Sequence, residues 1–251
     1  MIIYNNTKRG FLNDIPHIEG ILSSNVKAKM GEDTSEGEIL SWHNSLRFMA
    51  KVVDSQVIPD DTGIALEYNI PVTNNRIDFI ITGLDSEEKS NVVMIELKQW
   101  QHVQATEKDG LVVTHYEDGL KETTHPSYQV ACYASLLYDF KEAVQQRKVS
   151  LHPCVFMHNY VDDGSISDAR YQKYTQKAPV FCKGEEDKLR EFITTYVCKS
   201  DQNKSIYVVE NSKIVPSKSL IDSVVKMAQG KPEFKMIDEQ KVAYQNILWA
   251  Y

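Results

Sequence analysis

The sequence lacks a long apolar run, a leader-like start and closely spaced cysteines. No stretch approaches the ~20 apolar residues that cross a bilayer, and residues 1–9 lack the apolar core of a signal peptide. We therefore expect a cytoplasmic protein with no membrane partner. No C-x-x-C pair occurs, which argues against zinc-ribbon and local iron–sulfur motifs and favours small core residues at Cys132, Cys154, Cys182 and Cys198.

The composition is that of an ordinary globular protein: 251 residues, 42% hydrophobic and 25% charged. This length allows one large domain, or a core domain with a smaller appendage. The formal net charge of −7 argues against a broad nucleic-acid-binding face that depends on basic residues. It does not exclude a nuclease, because a bound divalent cation reverses the charge locally.

Apolar spacing predicts a helix, a three-stranded meander, a second helix and a further strand. Residues 1–35 read as polar and irregular, and Thr34 and Ser35 are suited to cap a helix over 36–54. The later elements are strands at 64–70, 76–82 and 91–97, a loop at 99–124 with a strand pair near Val112 and Tyr116, a helix from Pro126 to about Gln146, strands at 151–159 and 179–182, a helix at 185–197, a hairpin of 206–209 with 213–215, and a helix at 219–229.

For two of these strands, the sequence also predicts which faces are apolar. Residues 92–95 are apolar on both faces, as in a central strand. Strict alternation in 64–70 puts Glu67 on one face and, on the other, Ile64, Leu66, Tyr68 and Ile70.

Acidic residues within apolar strands are the candidate functional residues. Asp78 lies within such a strand, and Glu96 and Lys98 end the central one, two residues apart and therefore on one face. Hard divalent cations prefer carboxylate oxygens, and phosphodiester cleavage requires such oxygens to converge where a cation can hold phosphate and water. A neighbouring lysine can position the water and offset developing charge.

The spacing E-x-K alone is uninformative, since 87–89, 186–188, 233–235 and 239–241 also match it. Those matches lie in polar loops or near helix ends, whereas charge within apolar strands is costly unless it is paired. The structural alternative is a buried ion pair of Lys98 with Asp78 or Glu96.

Arg76-Ile77-Asp78 followed by Glu96-Leu97-Lys98 resembles the paired motifs of PD-(D/E)XK nucleases. The segment 125–133 resembles the Q-x-x-x-Y helix of the RecB-like branch, and the resemblance covers roughly residues 30–160. The proline of the first motif is absent, since Pro71 lies seven residues before Asp78. The cysteines of iron–sulfur members are also absent, so no cluster is implied.

The resemblance implies an α/β restriction-endonuclease-like core, with a mixed central sheet flanked by helices and a small C-terminal extension. It implies Mg²⁺ or Mn²⁺ held by Asp78, Glu96 and the Leu97 carbonyl. The first-helix acid of the family would be Glu38, near the metal, with Glu36 the alternative.

The remaining family residues would be Lys98, which orients the attacking water, and Gln129 and Tyr133, which support the lysine and the substrate phosphate. The implied activity is a metal-dependent nuclease, with DNA the favoured substrate, in DNA processing or anti-phage defence. The alternative is an inactive nuclease-fold module that binds nucleic acid or regulates an ATPase. RNA as substrate, cleavage polarity and oligomeric state stay open.

Residues 232–249 resemble the start of a superfamily 1 helicase-like ATPase, in which Gln240 would read adenine. No G-x-x-x-x-G-K-[ST] occurs, so the chain cannot bind ATP through a P-loop. We therefore expect a nuclease-like domain at 1–200 and an extension at 201–251, together resembling the N-terminal part of bacterial nuclease–helicase proteins whose ATPase domain this chain lacks. The alternative is a short amphipathic terminal helix that packs on the core.

Overall fold

The computed structural model describes residues 1–71, 73–116, 119–229, 236 and 238–249. The strands are β1 (Ile2–Thr7), β2 (Gly63–Asn69), β3 (Arg76–Leu84), β4 (Ser90–Lys98), β5 (Val103–Ala105), β6 (Leu111–Tyr116), β7 (Gly119–Thr124), β8 (Ser150–Met157) and β9 (Val180–Cys182). The α-helices are α1 (Lys8–Asp14), α2 (Ile18–Met30), α3 (Glu36–Val53), α4 (Pro126–Phe140), α5 (Glu142–Gln145), α6 (Gln172–Thr175), α7 (Glu186–Tyr196), α8 (Lys204–Glu210), α9 (Lys218–Ala228) and α10 (Asp238–Trp249).

The central sheet has the strand order β1-β2-β3-β4-β8-β9. Strands β1 to β4 are antiparallel neighbours, whereas β8 runs parallel to β4 and β9 parallel to β8. A parallel neighbour requires a crossover, which α4 and α5 provide. The predicted mixed α/β class, with a mixed central sheet flanked by helices, is therefore confirmed.

Helices cover both faces of this sheet and bury an apolar core on each side. The first core lies under α1, α2, α3 and α7, and the second lies under α4 and α8 together with part of the small antiparallel sheet β5-β6-β7. Among the described residues, no helix has the length and apolar character needed to cross a bilayer.

The two predicted helix starts are confirmed. Ser35 precedes α3, and its Oγ accepts a hydrogen bond from the Glu38 backbone N–H at 3.2 Å. Pro126 occupies the first turn of α4, while Nδ1 of the preceding His125 accepts from the Ser127 N–H at 3.1 Å. Both caps satisfy amide groups that the first helical turn leaves unpaired.

The prediction that residues 1–35 are irregular is wrong. They form β1, α1 and α2, and they bury Phe11 and Leu22 in the first core. Asn5 and Asn6 suggest a turn, yet they pair with Ala65 and Ile64 of β2. Pairing with a distant strand overrides local preference here, and a local pattern carries no record of that partner.

The predicted hairpin of residues 206–209 with 213–215 is also wrong. Residues 204–210 form α8, in which Ile206 and Val209 lie three apart on the buried face, a spacing that suits a helix. Ile214 forms only an isolated bridge, with Lys141. Because α8 packs in the second core, residues beyond 200 contribute to the same body, and the boundary at 200 stays a prediction.

Candidate functional site

A cavity of about 220 Å³ opens between α3 and the ends of β2, β3 and β4. The predicted residues Asp78, Glu96, Leu97 and Lys98 all line it, and so does Glu67, which the sequence did not single out. The α3 side of the lining consists of Ser41, Trp42, Ser45 and Leu46. The structure thus brings the Asp–Glu–Lys set together around one space.

The acidic residues of this cavity follow one line across three strands. Leu66 pairs with Phe79, and Phe79 pairs with Ile95, across β2, β3 and β4. Continuing these registers by one residue sets three carboxylates opposite one another: Glu67, Asp78 and Glu96. Directly opposed side chains have Cβ atoms about 4.5–5.5 Å apart. Their mutual repulsion must therefore be offset by nearby positive charge or by protonation.

The expected alternation of β2 is wrong at Glu67. Ile64 and Leu66 belong to the core under α3, but Tyr68 and Ile70 belong to the core on the other side of the sheet. Glu67 has a φ of 53°, in the left-handed region, so the strand changes phase by one residue there. Holding a residue other than glycine in this region costs about 1–3 kcal/mol.

Strand β3 also loses its strict alternation of faces, next to the position of Glu67. Ile77 and Ile80 are three residues apart yet belong to the same core, although strict alternation would separate them. Asp78 lies within this shift, opposite Glu67. Two opposed strands therefore lose their alternation where their acidic residues meet.

Lys98 and Glu96 form a largely buried ion pair. Lys98 Nζ lies 2.7 Å from Glu96 Oε1, and the two side chains are 17% and 4% exposed. The Glu87–Lys89 pair has the same sequence spacing, but its side chains are 69% and 68% exposed. Burial thus separates the candidate E-x-K from this surface match, and the Glu96 pairing of the structural alternative is present.

Hydrogen bonds fix Asp78 and Glu67 in the cavity wall. The Leu97 backbone N–H donates to Asp78 Oδ2 at 2.8 Å, and Trp42 Nε1–H donates to Glu67 Oε1 at 2.8 Å. The guanidinium of Arg76 lies 3.3 Å from Glu67 Oε2. Both carboxylates are therefore oriented by groups on neighbouring elements.

The structure brings Glu38 to Arg76 rather than into the cavity lining. Glu38 Oε1 lies 2.6 Å from an Nη of Arg76, on the guanidinium that also approaches Glu67. Glu36 is exposed at the start of α3. Between the two first-helix acids, Glu38 is the one connected to the site, and a metal-binding role for it stays a prediction.

Burial dominates the electrostatics of the cavity. Burial raises the pKa of Asp78 to about 7, and the neighbouring Glu67 carboxylate contributes to the rise. Burial likewise raises the pKa of Glu96 to about 8, with Asp78 contributing. Burial lowers the pKa of Lys98, but Glu96 and Asp78 outweigh it, so that pKa is raised and the ammonium stays protonated.

These pKa shifts predict how stability depends on pH without divalent cations. The usual pKa values of Asp78 and Glu96 are 3.8 and 4.5, so the folded protein holds more protons than the unfolded chain up to a pH of about 8. The contribution of these groups is fully present below the unfolded values and is lost as pH rises through the folded ones. We expect the free energy of unfolding in EDTA to fall more between pH 5 and pH 8 in the parent than in Asp78→Asn, by denaturant titration. A steeper fall in Asp78→Asn would contradict this.

A second cavity, of about 540 Å³, shares Lys98 with the first and lies against α4, β7 and α10. Gln129 and Tyr133 line it, so the structure places both near the lysine. Gln129 Nε2 donates to the Tyr133 hydroxyl at 2.8 Å, and that hydroxyl donates to Asp238 Oδ2 at 3.1 Å. In the described part of the chain, the side-chain hydrogen bonds of Gln129 and Tyr133 therefore connect these two residues to each other and to α10, and not to Lys98.

Helix α10 packs on β7 and on the loop before β6. Lys241 Nζ lies 3.0 Å from Asp109 Oδ2, and Gln245 Oε1 accepts from the Asp109 backbone N–H at 3.2 Å. This packing agrees with the alternative of a terminal helix on the core. Residues 230–235 and 237 lie outside the described residues, and no contact described for α10 tests adenine recognition by Gln240, so the ATPase resemblance and that role stay predictions.

Comparisons with protein-family models, curated proteins and solved structures gave no match. Within the described ranges, no three His, Cys, Asp or Glu side chains are placed to hold a metal ion by themselves. A cation here would therefore need other ligands besides one or two such side chains, such as a backbone carbonyl and water.

Three residues of the site were not predicted from the sequence: Glu67, Arg76 and Trp42. Glu67 carries the same signal as Asp78, a lone acid within an apolar strand, and could have been selected on that ground. Arg76 lies two residues before the motif aspartate, but nothing local shows that it contacts two acids. The Trp42 contact spans 25 residues of sequence and depends on the tertiary fold.

Proposed function

We propose that this chain is a divalent-cation-dependent nuclease with a PD-(D/E)XK core. The carrying observation is Glu96 Oε2, a buried oxygen with no hydrogen-bond partner among the described residues, on a side chain that lines the cavity with Asp78 and Lys98. A buried carboxylate oxygen without a partner is costly. A hard cation is the ligand that best suits it.

The charge of the cluster supports a divalent cation. Four acidic residues meet two basic ones, Arg76 and Lys98, which leaves two negative charges in excess if all are ionised: the acids are Glu38, Glu67, Asp78 and Glu96. One Mg²⁺ or Mn²⁺ would neutralise this excess. Protonation is another means by which buried carboxylates relieve such an excess.

In the proposed site the Asp78 and Glu96 carboxylates and the Leu97 carbonyl hold the cation. The bound cation would polarise a phosphate oxygen and lower the pKa of a water. Because Glu96 and Asp78 raise the pKa of Lys98, the lysine acts as an ammonium in this proposal. Its ammonium donates hydrogen bonds to the attacking water or to phosphate oxygens and offsets charge that develops there.

The order of elements also supports the PD-(D/E)XK core. An antiparallel β2-β3-β4 meander is followed by α4 and by β8, which runs parallel to β4. Asp78 lies in the second strand of the meander, and Glu96 and Lys98 lie at the end of the third. Gln129 and Tyr133 on α4 then face the substrate side, in the cavity next to Lys98.

The test is cleavage of end-labelled single- and double-stranded DNA, with RNA as a parallel substrate. We expect cleavage that requires Mg²⁺ or Mn²⁺, is faster in Mn²⁺, and is weak or absent at physiological salt because an acidic protein gains little DNA affinity from counterion release. Asp78→Asn, prepared identically, should be inactive and controls for contaminating nucleases. Cleavage that persists in EDTA or in Asp78→Asn would contradict the proposal. Robust cleavage at high salt would contradict the expectation that this protein binds DNA weakly.

A non-catalytic binding or regulatory module is the second candidate, and Asp238 favours its regulatory form because a negative charge there opposes phosphate. This carboxylate accepts from Tyr133 and lines the cavity that a substrate phosphate would enter next to Lys98. A module that binds nucleic acid without cutting it would show Asp78-independent DNA binding and no cleavage in Mn²⁺.

We expect Asp238→Asn to strengthen DNA binding by roughly threefold or more, because it removes a like charge facing the phosphates. Glu239→Gln is the matched control, since it removes the same charge from an exposed neighbour lining the same cavity. Fluorescence anisotropy at fixed salt measures both affinities. An equal gain in both variants would show that only overall charge matters.

A further inference from the structure

We propose that Glu67 is a positioning residue of the cation site and holds the hydration shell of the ion that Asp78 and Glu96 bind. The inference rests on the proposed function and assigns to Glu67 the place near the metal that the family resemblance gives to Glu38. It starts from the cavity, whose lining includes Glu67 and not Glu38.

Position singles out Glu67 among the acids of α3 and β2. It lies opposite Asp78 in the strand register and is 7% exposed. Glu38 lies across the Arg76 guanidinium, with a 2.6 Å contact to it. An ion between Asp78 and Glu96 would therefore meet the Glu67 carboxylate before that of Glu38.

The Glu67 side chain is also held in one orientation by its neighbours. The left-handed backbone at Glu67 turns its side chain out of the alternation of β2. Trp42 Nε1–H donates to one carboxylate oxygen at 2.8 Å, and Arg76 approaches the other at 3.3 Å. A carboxylate anchored at both oxygens is oriented before any ligand arrives, which is how outer groups around metal sites act.

The chemistry favours contact through water. Among the described residues, no three His, Cys, Asp or Glu side chains are placed to hold an ion by themselves. Mg²⁺ usually keeps several waters while it binds one or two carboxylates. The buried Glu96 Oε2, which has no partner in the described part of the chain, points independently to a ligand in this cavity. Glu67 then accepts hydrogen bonds from the ion's waters while Asp78 and Glu96 contact the ion.

The experiment measures Mn²⁺ affinity without substrate, by calorimetry and by electron paramagnetic resonance. We expect Glu67→Gln to weaken binding about 10- to 100-fold, the usual effect of removing an outer group. Glu38→Gln is expected to change it less than Glu67→Gln does. Glu19→Gln is the matched control. Glu19 lies on α2, outside the cavity lining, and its carboxylate likewise accepts a hydrogen bond from an arginine, Arg47, at 3.2 Å.

Catalysis gives an independent readout. Glu67→Gln should raise the Mn²⁺ concentration needed for half-maximal cleavage, while cleavage at saturating Mn²⁺ recovers most of the parent kcat. A purely structural role would not produce this separation. If Glu67→Gln fails to fold, Trp42→Phe removes the donor that orients Glu67 and should also weaken Mn²⁺ binding.

The outcomes separate the two proposals. Parent affinity in Glu67→Gln or in a folded Trp42→Phe, or a larger loss in Glu38→Gln, would overturn the role of Glu67 and leave the nuclease proposal standing. Mn²⁺ binding that survives Asp78→Asn would overturn the cation site itself. A parent protein that binds no Mn²⁺ would overturn both.

Discussion

Lys98→Ala is expected to lower the cleavage rate about 10²–10⁴-fold while Mn²⁺ still binds. The ammonium provides no ligand oxygen, so its loss affects water positioning and developing charge rather than ion affinity. Its pair with Glu96 is largely buried, and removing it strands that carboxylate in the cation-free protein. Bound Mn²⁺ gives the carboxylate another partner, so the loss of stability in Lys98→Ala should be small at saturating Mn²⁺.

Lys108→Ala is the matched control for this prediction. Lys108 forms an ion pair with Glu122 at the same 2.7 Å, outside the carboxylate cavity, so its removal reports the ordinary cost of losing such a pair. If the Lys98–Glu96 pair is only structural, Lys98→Ala should lose about 3–5 kcal/mol with or without Mn²⁺. Cleavage as fast as that of the parent would show that the mechanism is wrong.

Glu96→Ala is expected to lose both Mn²⁺ binding and cleavage. Glu96 provides a negative oxygen that hard cations require, and its Oε2 is buried with no hydrogen-bond partner among the described residues. Calorimetric titration with Mn²⁺ and the DNA cleavage assay measure the two losses on one preparation. Circular dichroism spectra must match those of the parent for the comparison to hold.

The contrast between Glu96→Ala and Lys98→Ala is the informative result. Loss of cleavage in both variants, with Mn²⁺ binding lost only in Glu96→Ala, separates a ligand from a group that acts on water and charge. Glu96→Ala that binds Mn²⁺ as the parent does would place the ion elsewhere in the molecule. Equal Mn²⁺ affinities in the two variants would remove the distinction between their roles.

The elements around the site could be predicted because their signals are local. Helix α3 begins where Ser35 can cap it, and α4 begins at Pro126, both read directly from residue type. Asp78 and Glu96 stand out because apolar neighbours bury them, and burial of charge requires a compensating partner. These local rules also found the convergence of Asp78, Glu96 and Lys98 at one cavity.

The arrangement of Glu67 could not be predicted from alternation. A strand is expected to keep its period, and the left-handed φ of Glu67 carries no residue-type signature because the residue is not glycine. The phase shift is shared with β3, at Asp78, so it depends on how two strands pair. Such a feature emerges only when the register across the sheet is known.

Long-range contacts are the other part that sequence could not provide. The spacing of Gln129 and Tyr133 predicts a shared helix face, and their hydrogen bond confirms it. The acceptor of the Tyr133 hydroxyl, Asp238, lies 105 residues further along the chain, on a helix predicted only as a possible terminal element. Strand β1 was missed for the same reason, since its partner β2 follows in the chain only after helices α1, α2 and α3.

The central claim is that Asp78 and Glu96 share one divalent cation, and crystals soaked in Mn²⁺ test it most directly. Anomalous difference density should show a peak between the two carboxylates, about 2.0–2.3 Å from an oxygen of each, with the Leu97 carbonyl as a further ligand. Glu96 Oε2 should then be engaged. Saturating Mn²⁺ without a peak at this position, and with the Lys98–Glu96 pair unchanged, would contradict the claim.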